Sequence, residues 1–266
     1  YAVIIEAQTM IITKGSISSG ELKGVTANRN ITAFSLAIKI PFLLFLFYVT
    51  KNKFFKIILS FLLFLTFLCL SMIQSRASFI GIAVILIGFI GINFVLYYTE
   101  RKKKHLLRLG FLIIPLLAAI IVNQNYLSSK GADAISRAAT ISFSTKDGSV
   151  NQRLRYYEDV LTHLKSNPIL GVGLGNWKLK SIEYDSKDIQ GYVVPYHAHS
   201  DFIQLGAELG IIGFVLYLSI FLLAVYFVYC LISFSRVPSN EKIFLFFLLI
   251  SLGVYSVDAN LNFPIA

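Results

Sequence analysis

Six apolar runs leave little choice of fold: Ile31–Val49, Phe54–Ile73, Ala77–Tyr98, Leu106–Val122, Phe202–Phe234 and Ile243–Val257. A helix that crosses the hydrocarbon of a bilayer needs about 20 mostly apolar residues. Inside hydrocarbon every backbone N–H and C=O must be satisfied within the protein, so open loops and sheet edges are excluded there. Runs of this length therefore predict spanning helices. The first run carries Lys39 and Pro41 and is the least regular, while the fourth and sixth are short enough to be tilted or partly buried in protein. Composition agrees: the 266 residues are 56% hydrophobic and 14% charged, where a soluble domain carries about 25% charged residues. The predicted class is all-α, a polytopic transmembrane helical bundle with a long extracytoplasmic loop of short amphipathic helices. No soluble domain and no repeat of solenoid length interrupts it.

The charges are distributed asymmetrically. TKNKFFK (50–56), ERKKKHLLR (100–108) and RVPSNEK (236–242) fall in alternate connections, which the positive-inside rule places on the cytoplasmic side. The net charge of +10 thus reads as a topology signal with secondary contact to anionic membrane lipids, and no nucleic acid partner is implied. The segment before Ile31, the corner at 73–76, the loop 123–201 and the tail after Val257 then share the opposite, extracytoplasmic face. Cys69 and Cys230 lie within apolar runs, where single cysteines act as small packing residues. The chain starts at Tyr1 and shows no signal peptide, which reads as a single membrane domain, residues 1–266, belonging to a larger polytopic protein with further N-terminal spans.

Within the long loop, NQRLRYYEDVLTHLKSNP (151–168) places Leu154, Tyr157, Leu161 and Leu164 at helical spacing and ends at Pro168. GVGLGN (171–176) follows, too rich in glycine for regular structure and predicting a tight loop. Such helices would lie on the membrane surface and cover a cavity.

This sidedness gathers Asn28, Arg29, Asn30, Arg76, Arg153, Arg155, His197, His199, Asp201 and Asp258 at one face. Arg76 interrupts two apolar runs with almost no loop around it, so it is a functional candidate, with snorkelling to headgroups as the alternative. The arginine fork suits phosphate oxygens, and several arginines at a membrane surface suit a lipid carrying a diphosphate.

The stretch YHAHSDFIQLGAELGIIG (196–213) admits three readings: a metal site, an ordinary helix start, or a base held at the bilayer surface. His197, His199 and Asp201 have the spacing of ligands, but His163 is the sole further histidine or cysteine outside the membrane runs besides the cytoplasmic His105. With Ser200 as N-cap, positions 199, 203, 206, 210 and 213 form a His-Ile-Gly-Gly-Gly stripe that would let another helix approach closely. Glu208 falls half a turn out of phase with His199, and an arginine from a neighbouring span is its expected partner.

HSDFIQLGAELGIIG resembles the H-N-x-[FY]-L-x4-E-x-G-x-x-G signature of the O-antigen ligase and O-antigen polymerase superfamily. Further elements are similar to that family in its own order: NRNITAFSL, QSRASF, RLRYYEDVLTHLKSNPILGVGLGNW and VDANLNFP. Together they reach from Val25 to Pro264. Ser200 stands where asparagine is usual, and Tyr157 where tryptophan is common. The resemblance implies a membrane glycosyltransferase in the bacterial cell inner membrane with its active site facing the periplasm. It implies His199 as the catalytic base, Arg76 and Arg153 as ligands of the donor's diphosphate, and Arg29, Asn30, Arg155, His197, Asp201, Glu208 and Asp258 in support. The implied donor is an undecaprenyl-diphosphate-linked glycan, and the implied acceptor a lipid A–core or similar lipid or glycan. No cofactor and no metal are expected. A repeat-unit polymerase and a protein O-oligosaccharyltransferase share these features. A transporter is the alternative of a different class; its polar groups would line the midplane, where Lys39 and Glu208 are the clear charges.

Overall fold

In a computed structural model of the chain, the described residues are 2–15, 17–18, 21–127, 134–139, 148–185, 197–234 and 238–261. Among them the regular structure is helical: α1 (Ala2–Lys14), α2 (Arg29–Ala37), α3 (Ile40–Val49), α4 (Lys53–Ile73), α5 (Arg76–Glu100), α6 (Lys104–Leu107), α7 (Gly110–Val122), α8 (Ala134–Ala139), α9 (Gly148–Ser166), α10 (Trp177–Asp185), α11 (Asp201–Phe234) and α12 (Ser239–Leu261). No strand occurs among the described residues. Six helical stretches are long and apolar enough to cross a membrane: Arg29–Val49, Lys53–Ile73, Arg76–Glu100, Lys104–Asn125, Asp201–Ser233 and Ser239–Leu261. The chain divides into two compact units, residues 1–141 with 231–255, and residues 142–230 with 256–266.

The first unit is built on apolar packing. Leu63, Phe67, Leu70 and Ile73 of α4, Ile85 and Phe89 of α5, Leu112 and Ala119 of α7, and Phe247, Ile250 and Val254 of α12 form its buried centre. Phe89 and Phe247 have ring centroids 6.2 Å apart, and Tyr48 sets its ring edge-on to both. Side-chain hydrogen bonds supplement this packing at a few points. Between α2 and α3 the helix is interrupted at Ile38–Lys39, and the Ile38 carbonyl accepts from Ser251 Oγ at 3.2 Å. The Tyr48 hydroxyl donates to Asn93 Oδ1 at 2.5 Å, and Asn93 Nδ2 donates to the Phe89 carbonyl at 2.8 Å.

At the corner between α4 and α5, Gln74 takes a left-handed conformation (φ 56°) and Ser75 occupies the N-cap position of α5. This reverses the chain in two residues and leaves Arg76 as the first residue of the next helix. Asn28 caps α2 through its side chain, accepting from Asn30 N–H at 2.9 Å. Asn30 in turn accepts from Ser75 Oγ at 3.0 Å, which ties the start of α2 to the corner that bears Arg76.

In the second unit the apolar core is small: Val160, Trp177, Ala198 and Ala207, with Leu164, Tyr184 and Ile203 packed against them. Helix α9 is amphipathic in an unexpected sense. Its buried face is Tyr156, Val160 and His163, at helical spacing, whereas Leu154 and Leu161 are exposed. The leucines read from the sequence as a single stripe therefore split between the core side, at Leu164, and the outer surface. An exposed leucine row on a surface helix is the arrangement expected of an element that rests in a bilayer interface.

Candidate functional site

The candidate site of the second unit begins at Ser200. Its Oγ accepts a long hydrogen bond from Ile203 N–H (3.4 Å) and its carbonyl accepts from Gln204 N–H (2.9 Å), so it caps α11 as a serine before an apolar helix should. His199, one residue earlier, has φ 55°, a left-handed conformation uncommon for a residue with a Cβ. The helical stripe through 199, 203, 206, 210 and 213 accordingly does not exist, because His199 precedes the helix. Its orientation comes from α9 instead: the imidazole lies nearly parallel to the Tyr156 ring, centroids 5.8 Å apart and planes 11° apart. Tyr156 is buried, and Gln152 Nε2 donates to its hydroxyl at 2.6 Å.

A second departure lies deeper in α11. Gly210 has φ 67° and ψ −165°, which no helix accommodates, and the helix is broken there. A break at this depth would strand carbonyls in hydrocarbon. The glycine loop prevents this. Val172 N–H donates to the Ala207 carbonyl at 3.1 Å, Gly173 N–H to the Glu208 carbonyl at 2.7 Å, and Ile211 N–H to the Pro168 carbonyl at 2.9 Å. The loop and helix approach so closely that a Cβ on Gly171 would collide with the Ala207 carbonyl oxygen, and one on Gly210 with the Ile169 carbonyl. Both glycines also have positive φ, so shape and backbone conformation each require them.

Glu208 is buried, but its partner is not the arginine expected from the sequence. Oε2 accepts from Gly175 N–H at 2.9 Å and Oε1 accepts from Gln204 Nε2 at 3.2 Å. Gln204 Oε1 accepts from the Ala198 N–H at 3.3 Å. A hydrogen-bonded series thus runs from the glycine loop through Glu208 and Gln204 to the residue before His199. A carboxylate accepting a backbone N–H makes a charge-assisted bond, roughly twice as strong as a neutral one. This series was hidden from a straight-helix reading, in which Glu208 serves as a point charge awaiting a cation.

The electrostatics at His199 follow from this setting. Burial, then the Arg153 guanidinium, then the neighbouring His197 hold its pKa down at about 4, against an ordinary 6.5. The imidazole is therefore neutral at pH 7, with a ring nitrogen able to accept a proton, but it is a weaker base than an unperturbed histidine. Tyr157, one residue after Tyr156, donates from its hydroxyl to the Asn260 carbonyl at 3.2 Å and so fastens α9 to the end of α12, where Asp258 is buried. Burial pushes the Tyr157 phenol up, against the pull of Arg153 and of Ser200.

Of the residues expected from the sequence, Arg153, His197 and His199 come together, and Asp201 is buried at the first turn of α11, where the helix dipole favours a carboxylate. Arg155 lies on the exposed face of α9. Arg29, Asn30 and Arg76 belong to the first unit, where Asn30 bonds the Ser75 that precedes Arg76. Tyr156, Gln204 and Gly175 were missed. The i, i+3, i+7 spacing of Arg153, Tyr156 and Val160 on one helix was the available signal for Tyr156, whereas nothing local marks the other two. Among the described residues no three His, Cys, Asp or Glu side chains converge to hold a metal ion.

Comparison with known proteins agrees with this geometry. The family model described as O-antigen ligase matches residues 61–218, more than half the chain, and includes the α4–α5 corner, α9, the glycine loop and the break in α11. A protein of Rickettsia conorii named as a candidate polysaccharide ligase is 30% identical over 153 residues, covering 56% of this chain and 34% of the relative. One of Rickettsia typhi with the same description is 29% identical over 179 residues, covering 61% of this chain and 38% of the relative. The chain spans about a third of the length of these curated relatives. No solved structure matches it. With the family match falling on the very elements that hold His199 and Arg153, this multi-pass membrane chain belongs to the O-antigen ligase family.

Proposed function

We propose that this chain carries the reacting groups of a membrane glycosyltransferase of the O-antigen ligase type. It transfers a glycan from an undecaprenyl-diphosphate carrier to an acceptor hydroxyl, lipid A–core or similar, at the periplasmic face of the bacterial inner membrane. The observation that carries the reading is a neutral His199 imidazole held against Tyr156 within the field of Arg153. The relatives' description as polysaccharide ligases supports the same direction.

The chemistry requires few groups. The acceptor oxygen attacks the anomeric carbon while the bond from that carbon to the diphosphate oxygen breaks, and the electron pair leaves with the diphosphate. The acceptor's proton passes to His199. Arg153 neutralises charge on the departing diphosphate, a role that needs no metal because the guanidinium already supplies a fixed cation with forked donors. Arg76 is proposed for the same diphosphate on the strength of its motif, QSRASF. Bringing an anion to Arg153 offsets the positive field on His199 and raises the imidazole toward its ordinary range, so that basicity increases when donor is bound. Glu208, Gln204 and the glycine loop hold the segment that carries the base.

Glycan transfer by the purified full-length protein from a lipid-diphosphate donor tests the proposal. His199→Ala is expected to lower kcat/KM by about 10²–10⁴, the contribution of a positioned general base. Wild-type rates from a correctly folded His199→Ala protein would refute it.

A further inference from the structure

His163 is a buried titratable group for which the chemistry above has no use. It lies on the same face of α9 as Tyr156, seven residues on and thus about 10 Å along the helix axis at 1.5 Å per residue. Its Nδ1 contacts the Tyr184 hydroxyl at 3.1 Å, its ring sits 5.8 Å from Trp177, and Trp177 stacks on Tyr184 at 6.0 Å. Its Nε2 is buried and has no hydrogen-bond partner among the described residues. A buried polar atom left unsatisfied is uncommon and points to a missing partner.

The same histidine forms part of the wall of a cavity of about 400 Å³, within the size range of small-molecule sites. The remaining wall comes from the end of α9, the glycine loop and α10: Asn167, Asn176, Lys180 and Glu183 supply polar groups, and Val172 and Leu179 supply an apolar face. Asn176 Nδ2 donates to the Val172 carbonyl at 3.1 Å, which fixes that side chain to the loop. Lys180 Nζ donates to Glu183 Oε2 at 2.6 Å, and the two charges cancel. His163 is held below its ordinary pKa by burial first and by Lys180 second, with Glu183 opposing, so it adds no charge at pH 7. The lining is therefore rich in donors and acceptors but electrically balanced. An anion such as a phosphate gains little there, because the cation is already neutralised. An uncharged molecule with many hydroxyls and one apolar face fits these groups.

We propose that this cavity is a glycan subsite, holding uncharged sugar units of a substrate about two helical turns away from the reacting bond. The assignment rests on the glycosyltransferase reading for the identity of the ligand. It adds a reason for selectivity: a glycan long enough to reach from His199 to His163 is held at two points along α9, and a shorter one is not.

Two kinds of measurement on the full-length protein test it. The first is saturation-transfer NMR with two delipidated probes, the acceptor oligosaccharide and the donor repeat unit. Saturation of one of them by the wild-type protein, lost in Glu183→Gln and in Leu179→Trp, is expected, and the probe that responds identifies the source of the glycan. The second is kinetics. Each variant should raise KM for the corresponding substrate about tenfold, with kcat unchanged, as expected for lost hydrogen bonds distant from the reacting atoms. Glu183 and Leu179 are exposed, so both variants are expected to keep the wild-type melting temperature. Unchanged KM for both substrates together with absent saturation overturns the subsite, even if transfer itself depends on His199. Saturation that persists when the protein transfers no glycan would instead remove the catalytic reading and leave the sugar site standing.

Discussion

The two units hold themselves together by different means. The first packs Leu63, Phe67, Phe89, Phe247 and their neighbours into a continuous apolar centre, with a few side-chain hydrogen bonds such as Tyr48–Asn93 and Ser251–Ile38 set around it. The second has a core of four fully buried side chains and depends on directional bonds: loop amides on α11 carbonyls, and Glu208 between Gln204 and Gly175. Dispersion packing tolerates small displacements, because each contact is weak and many share the load. Hydrogen bonds to fixed carbonyls fix position within tenths of an ångström. The unit proposed to place a base against a reacting carbon uses the second kind.

Three substitutions sharpen or break this contrast. Phe89→Ala in the first unit should have the largest effect on stability, about 3–5 kcal/mol for a truncated buried phenylalanine, measured as resistance to denaturant in detergent micelles. The folded fraction should transfer glycan with an unaltered pH profile, and a shifted profile would show the two units to be less distinct than proposed. Gly210→Ala in the second unit should cost about 2–4 kcal/mol, from positive φ and the collision with the Ile169 carbonyl, and should also depress turnover of the folded protein because His199 loses its support. Wild-type turnover in a folded Gly210→Ala protein would disconnect the break from the site.

Arg153→Ala is the smallest of the three in energy. A lost charge-assisted contact with the diphosphate should reduce kcat/KM about 10- to 100-fold, or about 1.4–2.8 kcal/mol. Its sharper signature is in pH dependence. In the wild-type enzyme His199 keeps its basic form until the pH falls to about 4, so the acid limb of kcat/KM should lie near 4 and not near 6.5. Removing Arg153 takes away one of the causes of that depression, and the limb should move upward. A limb that stays in place in Arg153→Ala would contradict the electrostatic coupling. Stability carries the same sign. Between pH 6.5 and about 4 the unfolded chain binds a proton at His199 that the native state refuses, so this contribution is lost as pH falls through that window.

Much of this was legible in the residues. Apolar length located the spanning helices, Ser200 announced the start of α11, and the helical spacing of Leu154, Tyr157, Leu161 and Leu164 before Pro168 gave α9. His199 and Arg153 were singled out by the resemblance of HSDFIQLGAELGIIG and RLRYYEDVLTHLKSNPILGVGLGNW to the family's motifs, whereas Arg76 also stood out as a charge set between two apolar runs. What could not be read were the contacts that join distant segments. Gly206, Gly210 and Gly213 have the spacing of a close-packing stripe, and nothing near Gly210 reveals that the helix stops there. That outcome depends on amides from 172 and 173 taking the carbonyls of 207 and 208, a tertiary fact with no local signature. Glu208 was misjudged for the same reason: a carboxylate inside an apolar run suggests a cation, yet a backbone N–H from a glycine loop serves as well. The depressed pKa of His199 follows from burial beneath α9, which periodicity does not report.

The interruption at Gly210 also has a bearing on how the protein is assembled. With the helix broken at Gly210, the Ala207 and Glu208 carbonyls are satisfied by the loop amides of Val172 and Gly173, so each segment supplies what the other lacks. Synthesis delivers the loop before the helix, so a short segment must wait for its receptor to be threaded beside it. The support of His199 therefore spans both segments: the series from Gly175 through Glu208 and Gln204 to Ala198 closes only where the loop and α11 meet.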